Sequence, residues 1–384
     1  MNEVWIHRAD LAESAIQERH AQRVWALPRT NLAVAAWPPH TKERLFYRWH
    51  YWWQAHYLDC LIDAAKRRPT KIRKQNIRET IRGIRVRNFG SFNRNKYYDD
   101  KLWLALALRR GQEVLGQKKR KYLRKLEHNI VAGKDEIAEV FPWRVGENFF
   151  NVPTNGPAAI MLARNGNLTD ARFLVDWIFD NLINDQGLVM DGIRMSMSGP
   201  EVVKNIHPYC QGVVIGACLE IALQLRKVEA TAEDAVTYLA RMRALIHAVN
   251  REMATSQGVI DWRTGDGDGG LFKGILARYL AEVVVRLPAD NAANRECIQV
   301  AKRMIFASAE SVWNHRLEVD GLPVFATDWK EDARLPHNSG LASSTLSDLV
   351  RLVRIDERDL SVQLSGWMLL EAAARIAQAA QTES

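Results

Sequence analysis

Two adjacent carboxylates, Asp99 and Asp100, follow a pair of tyrosines and precede an apolar run in Tyr97-Tyr98-Asp99-Asp100-Lys101-Leu102-Trp103. The run continues through Leu104, Leu106 and Leu108, which places both carboxylates in the first turn of a helix. Free backbone N–H groups and the positive dipole end favour negative charge there, so the pair can simply cap the helix. It can also do chemistry. Two neighbouring carboxyl groups are what hydrolysis of a glycosidic bond requires, one as nucleophile or base and the other as proton donor. Like charges push the two pKa values apart, so one group stays ionised while the other keeps its proton. Consecutive residues on a regular helix point about 100° apart. A retaining pair wants its carboxyl groups roughly 5 Å apart. A helix entry can meet that separation if Asp99 leaves ideal helical dihedrals, so the geometry permits the pair without demanding it.

Other polar motifs are weaker. Gly265-Asp266-Gly267-Asp268-Gly269-Gly270 looks like a metal or phosphate loop, but it lacks the closing Glu of a calcium loop and the Gly-Lys-Ser/Thr of a P-loop. It reads better as a tight turn capped by Asp, with Lys273 beyond it able to reach a substrate hydroxyl. The ten histidines form no metal-ligand spacing, so no metal site is expected, and His50 and His56 read as packing or hydrogen-bonding residues. Cys60, Cys210, Cys218 and Cys297 lack a Cys-x-x-Cys spacing and read as reduced core thiols. Thirteen tryptophans are mostly buried bulk, although Trp also serves as a flat platform for sugar rings.

The elements that must hold these residues are helical. Apolar spacing predicts helices over 9–22, 41–66, 71–88, from Asp99 to near Gly116, 118–131, 155–166, 168–184, from Tyr209 onward, 230–254, 271–287, 291–316 and a last one ending near 380. A further helix at 343–354 is possible. The Gly-, Met- and Ser-rich stretch 187–204 reads as loop, and no strand alternation is evident. Every second helix opens distinctively, at Trp52-Trp53, Asp99-Asp100, Asn155-Gly156-Pro157, Gln211-Gly212, Gly269-Gly270 and Ser365-Gly366. The middle openings recur at about the length of a helical hairpin with its loops. Small residues there allow close packing, so these helices suit an inner ring and their basic partners an outer one. Six hairpins closing on themselves give an all-α (α/α)6 barrel, a single domain over 1–384, with its inner-helix N-termini converging on one crater.

Hydrophobic content of 47% and charged content of 26% fit a globular chain with a sizeable core, and the net charge is +8. Two basic clusters, Lys66–Arg87 and Lys118–Arg124, carry much of that charge. They read as a solvated outer face or, more sharply, as an attraction to anionic glycans or surfaces, with no nucleic-acid partner expected. No secretory leader is evident at the N-terminus and no segment suggests a membrane span, which points to a cytoplasmic monomer.

The Tyr97–Trp103 stretch, Tyr51-Trp52-Trp53-Gln54-Ala55-His56, Asn155-Gly156-Pro157-Ala158-Ala159 and Gln211-Gly212-Val213-Val214-Ile215-Gly216-Ala217 resemble glycoside hydrolase family 76. So do the run from Asp268-Gly269-Gly270-Leu271-Phe272-Lys273 to Leu280 and the closing Leu364-Ser365-Gly366-Trp367. The resemblance implies an (α/α)6 barrel acting as a retaining endo-α-1,6-mannanase on mannan-type oligo- or polysaccharides, without a cofactor. By the family pattern Asp99 is the nucleophile and Asp100 the acid/base. Asn155, Gln211, Asp268 and Lys273 are candidates for holding sugar hydroxyls, and Trp53, Tyr98 and Trp143 for stacking on rings. Cys210 departs from the pattern, which more often has Asn before Gln-Gly. Other readings are a sugar epimerase or lyase with His56 as base, or a non-catalytic carbohydrate-binding or membrane-surface module.

Overall fold

The computed structural model describes residues 2–118, 120–227, 233–336 and 355–382. Thirteen α-helices lie among them. The chain opens with α1 (Asn2–Arg19) and a single turn, α2 (Thr41–Arg44). Five helical hairpins follow: α3 (Tyr51–Arg67) with α4 (Lys71–Arg87), α5 (Tyr98–Val114) with α6 (Lys121–Val131), and α7 (Val152–Arg164) with α8 (Leu168–Asn181). Then come α9 (Pro208–Leu225) with α10 (Ala235–Glu252), and α11 (Phe272–Arg286) with α12 (Ala292–Asn314). The last helix, α13 (Leu360–Thr382), takes α1 as its outer partner. Helices α3, α5, α7, α9, α11 and α13 each pack on the next, and α13 returns to α3, which closes the ring. This is the (α/α)6 barrel expected from the hairpin spacing.

The difference between the rings lies in residue pattern. Outer helix α6 buries one stripe, Leu123, Leu126 and Ile130, and turns its lysines outward. Inner helix α9 is apolar on all sides and almost wholly buried. By length and composition it could cross a membrane; here it is one stave of the barrel. Inner helices approach closely where glycine removes a side chain. A Cβ on Gly212 would stand 2.8 Å from the Leu276 Cα of α11, and one on Gly274 would stand 2.7 Å from the Ser365 Cα of α13.

Several expectations need correction. The helix expected over 41–66 is broken between Leu45 and His50, where Phe46 and His50 take left-handed φ of 56° and 44°. Tertiary contacts impose the break: Phe46 is fully buried, and Arg87 Nε donates to its carbonyl at 2.7 Å. The first helix starts earlier than expected, at Asn2. On α4, Ile77 and Ile84 face inward, but Ile72 is exposed.

Strands are present as well. Small pairs join β1 (Ala21–Gln22) to β2 (Leu32–Ala33) and, later in the chain, β6 (Leu317–Val319) to β7 (Leu322–Val324). Between them, β3 (Phe149–Asn151), β4 (Met190–Ser196) and β5 (Gly199–Ile206) form an antiparallel sheet with Phe150 opposite Ile193 and Arg194 opposite Glu201. This hairpin occupies the stretch read as loop. Most of its side chains face solvent on both sides, so hydrophobic alternation never developed in the sequence. The possible helix at 343–354 lies outside the described residues.

The two ends of the barrel differ chemically. At the C-terminal ends of the inner helices, each stave is tied to the next by charged or polar side chains. Arg110 of α5 pairs with Asp59 and Asp63 of α3, and Arg109 of α5 donates to Asn165 after α7 at 2.6 Å. Arg164 of α7 and Arg286 of α11 share Glu220 of α9 at 3.0 and 2.9 Å. Arg375 of α13 pairs with Glu282 of α11 at 2.6 Å, and Arg67 of α3 with Glu371 of α13 at 2.9 Å. Cations near helix C-termini also complement the helix dipoles. The opposite end is left open.

Candidate active site

The starts of α3, α5, α9 and α11, with the loop carrying Trp143, enclose a cleft of about 450 Å³. That lies within the roughly 300–1,000 Å³ of small-molecule sites. Asp99 and Asp100 stand on one side, at the second and third positions of α5. Trp143 Nε1 donates to Asp99 Oδ2 at 2.9 Å, and the backbone N–H of Asp100 donates to Asp99 Oδ1 at 2.8 Å. Asn95 Nδ2 donates to Asp100 Oδ2 at 2.6 Å. Asp100 Oδ1 accepts no hydrogen bond among the described residues.

Opposite the pair, Asp268 Oδ1 accepts from the indole N–H of both Trp52 and Trp53, each at 2.8 Å. Trp52, Tyr209 and Phe272 form an aromatic wall in which Tyr209 and Phe272 stack face to face at 4.0 Å. Burial, and then the charge of Asp100, push Asp99 well above the usual carboxylate range. Burial pushes Asp100 up to about 7, against the lowering hydrogen bond from Asn95. Two such neighbours cannot both ionise readily, so the pair holds one proton between them near neutrality.

Of the residues expected at the site, Asp99, Asp100, Trp143 and Asp268 meet in the cleft. Trp53 lies behind it: its ring is 2% exposed, stacked on His50 at 4.0 Å, and its N–H steadies Asp268. Its neighbour Trp52 lines the cleft instead. Tyr98 points away, between α5 and α6, with Lys101 Nζ 3.9 Å from its ring centre; Tyr97 lines the cleft. Lys273 turns to the other side of α11, where Nζ donates to the Thr327 carbonyl at 2.7 Å and burial lowers its pKa to about 8. His56 is buried under Trp52 and Trp103 and does not line the cleft; burial and Arg278 push it well below the usual histidine range.

Asn155 and Gln211 are committed to backbone. Asn155 accepts from Phe141 N and donates to the Phe141 and Asn151 carbonyls, at 2.8 to 2.9 Å. Gln211 pairs with the N–H and C=O of Val189, both at 2.8 Å. Gln54 does the same with Ala33, and Gln363 with Phe325. All four amides occupy the fourth position of an inner helix. The second position, by contrast, faces the cleft in α3, α5 and α9, through Trp52, Asp99 and Tyr209. That positional repeat was the sequence signal for Trp52, Tyr209 and the clamping amides. Asn95, Tyr97 and Phe272 had none as clear. No cluster of three or more His, Cys, Asp or Glu among the described residues is placed to hold a metal ion.

An (α/α)6 barrel with an aromatic-walled cleft and a carboxylate pair at its open end is a carbohydrate-processing architecture. The model of the family described as glycosyl hydrolase family 76 matches residues 30–350, and the chain belongs to that family of glycoside hydrolases. No curated protein matches it. Among solved structures, the α-1,6-mannanase of Salegentibacter sp. HEL1_6 superposes with a TM-score of 0.77 at 24% identity, covering 97% of this chain and 99% of that one. An inactive variant of that mannanase, with two Asp changed to Asn, has been solved with α-1,6-mannotriose. A family 76 mannosidase from Bacteroides thetaiotaomicron superposes with a TM-score of 0.72 at 15% identity, covering 99% of this chain and all of that one.

Proposed function

We propose that the protein hydrolyses α-1,6-mannosidic linkages with retention of configuration, using Asp99 as nucleophile and Asp100 as acid/base. The observation that carries the assignment is the division of hydrogen bonds within the pair. Both oxygens of Asp99 accept N–H donors, which fixes its orientation and opposes the burial and the Asp100 charge that raise it, so the reading places the pair's shared proton on Asp100. Asp100 has one oxygen accepting from Asn95 and the other open to the cleft, where it can hold and deliver a proton.

In the first step an Asp99 oxygen attacks the anomeric carbon. The glycosidic C–O bond breaks, and the Asp100 proton passes to the leaving oxygen. In the second, Asp100 takes a proton from water, whose oxygen displaces Asp99 from the anomeric carbon. Two inversions leave the α configuration. Trp52 and Trp143 offer ring faces to the sugars, and Asp268 offers its carboxylate to hydroxyls. The mannan substrate is supported by the likeness to the Salegentibacter mannanase and by that enzyme's mannotriose complex.

The test is incubation with linear α-1,6-mannan, chromatography of the products, and early proton NMR of the new anomeric centre. Shorter oligosaccharides released first as the α anomer are expected. An intact polymer, or β anomer appearing first, would contradict the reading.

A further inference from the structure

Beside the cleft lies a second hollow, of about 430 Å³, and the two share His50 and Tyr51 as a common wall. It is built by the segment that interrupts the expected 41–66 helix. Left-handed backbone at Phe46 and His50 is uncommon for residues with side chains. Phe46, buried in the core, and the stack of exposed His50 on the buried Trp53 ring hold it there. The segment between them is thereby turned outward. Tyr47 is 72% exposed, an unusual position for an aromatic ring, and Arg48 stands exposed beside it.

Arg48 makes no hydrogen bond or ion pair among the described residues. Arg87, whose guanidinium lies 5.0 Å from the Trp49 ring centre, has no carboxylate partner among them either. At the other end of the barrel Arg110, Arg164, Arg278, Arg286 and Arg375 all pair with carboxylates. Carboxylates bordering the hollow are engaged with backbone: Glu43 accepts from the His40 N–H at 2.5 Å and Asp359 from the Gly267 N–H at 2.9 Å. The hollow therefore offers, next to the cleft, an aromatic face and a guanidinium that pairs with neither Glu43 nor Asp359 on the same wall. An aromatic face suits a pyranose ring, and a guanidinium fork suits the oxygens of a phosphate.

We propose that this hollow receives the mannan chain beyond the linkage cut at Asp99, with Tyr47 as its ring platform and Arg48 as the contact for a phosphate group carried on that chain. The proposal rests on reading the cleft as a mannan hydrolase.

The experiment compares kcat/KM on a neutral α-1,6-mannohexaose with the same oligosaccharide bearing one phosphomonoester, placed at either end in separate preparations. For one phosphorylated isomer the wild-type ratio should favour phosphate by about tenfold, as one charge-assisted contact gives. In Arg48→Gln the ratio should fall to about one, with the melting temperature unchanged because Arg48 holds nothing in place. Tyr47→Ala should lower the preference for hexaose over mannotriose. A wild-type ratio of one for both isomers, or a ratio that survives Arg48→Gln, would overturn the proposal. Failure of the wild type to cut any of these oligosaccharides would overturn the reading of the cleft, and this proposal with it.

Discussion

The oxygens of Asp99 are both occupied by N–H donors, whereas Asp100 keeps one oxygen open to the cleft. Burial raises both carboxyls, Asp100 to about 7, so the folded state binds protons that the unfolded chain releases near pH 4. Between those values stability falls as pH rises, because the folded state must give up protons it holds more tightly. Asp100→Asn removes that penalty, so its melting temperature should exceed wild type at pH 8 and approach it at pH 4. A gain in melting temperature equal at both pH values would show that proton uptake is not the cause. Because the acid form of Asp100 serves the first step, wild-type kcat should decline above about pH 7. The adjacent carboxylates were legible in sequence because two acids at a helix entry are conspicuous. Which indole of Trp52-Trp53 faces the cleft was not, since consecutive residues differ by only about 100° and the helix phase depends on the break at His50.

At the scale of the element, each inner helix begins by turning successive residues to different neighbours. In α3 and α9 the second residue meets the cleft and the fourth clamps a connecting segment through its amide. The alternation of inner and outer helices was readable from apolar spacing and from the small residues at the openings. The roles of Asn155 and Gln211 were not, because a buried amide that holds a sugar and one that holds a loop are the same residue in sequence. Backbone partners from Val189 and Phe141 decide it. Gln211→Leu should therefore act on stability, leaving the N–H and C=O of Val189 buried without partners at a cost of about 2–4 kcal/mol in denaturant unfolding. A sugar contact would instead raise KM with little loss of stability, and that outcome would return Gln211 to the site. The β4–β5 hairpin was illegible for a related reason. Its register is set by pairing with β3, and solvent on most of its surface left no apolar alternation to read.

Across the whole molecule the barrel is polarised. Its open end holds a carboxylate pair that prefers its protons, and its closed end is knit by ion pairs in which arginines hold Asp63, Glu220 and Glu282 ionised, while burial raises Glu371 to about 7. Glu220 shows the second behaviour. Burial alone would raise its pKa, but Arg164 and Arg286 outweigh that and hold it down to about 2. Its contribution is therefore present above the unfolded value near 4.5 and is lost as pH falls toward 2. Glu220→Gln should cost about 3 kcal/mol at pH 7, where it leaves two guanidinium groups facing each other, and much less near pH 2. Thermal unfolding of both proteins at the two pH values checks this. A cost independent of pH would mean that packing, not charge, holds that end. These pairings join residues far apart in the chain, and Arg110, Arg164, Arg286 and Arg375 lie outside the two basic clusters, so runs of charge in the sequence did not point to them.

The most direct test of the account is kcat on linear α-1,6-mannan for Asp99→Asn, measured on protein whose melting temperature shows it folded. Asn caps a helix about as well as Asp, and its one amide oxygen can accept from either Trp143 Nε1 or the Asp100 N–H, with its NH2 left facing the other donor; it cannot form the glycosyl ester. A loss of several orders of magnitude is expected, with the melting temperature close to wild type because the relieved like-charge repulsion offsets the one lost hydrogen bond. Near-wild-type cleavage by that folded variant would contradict it.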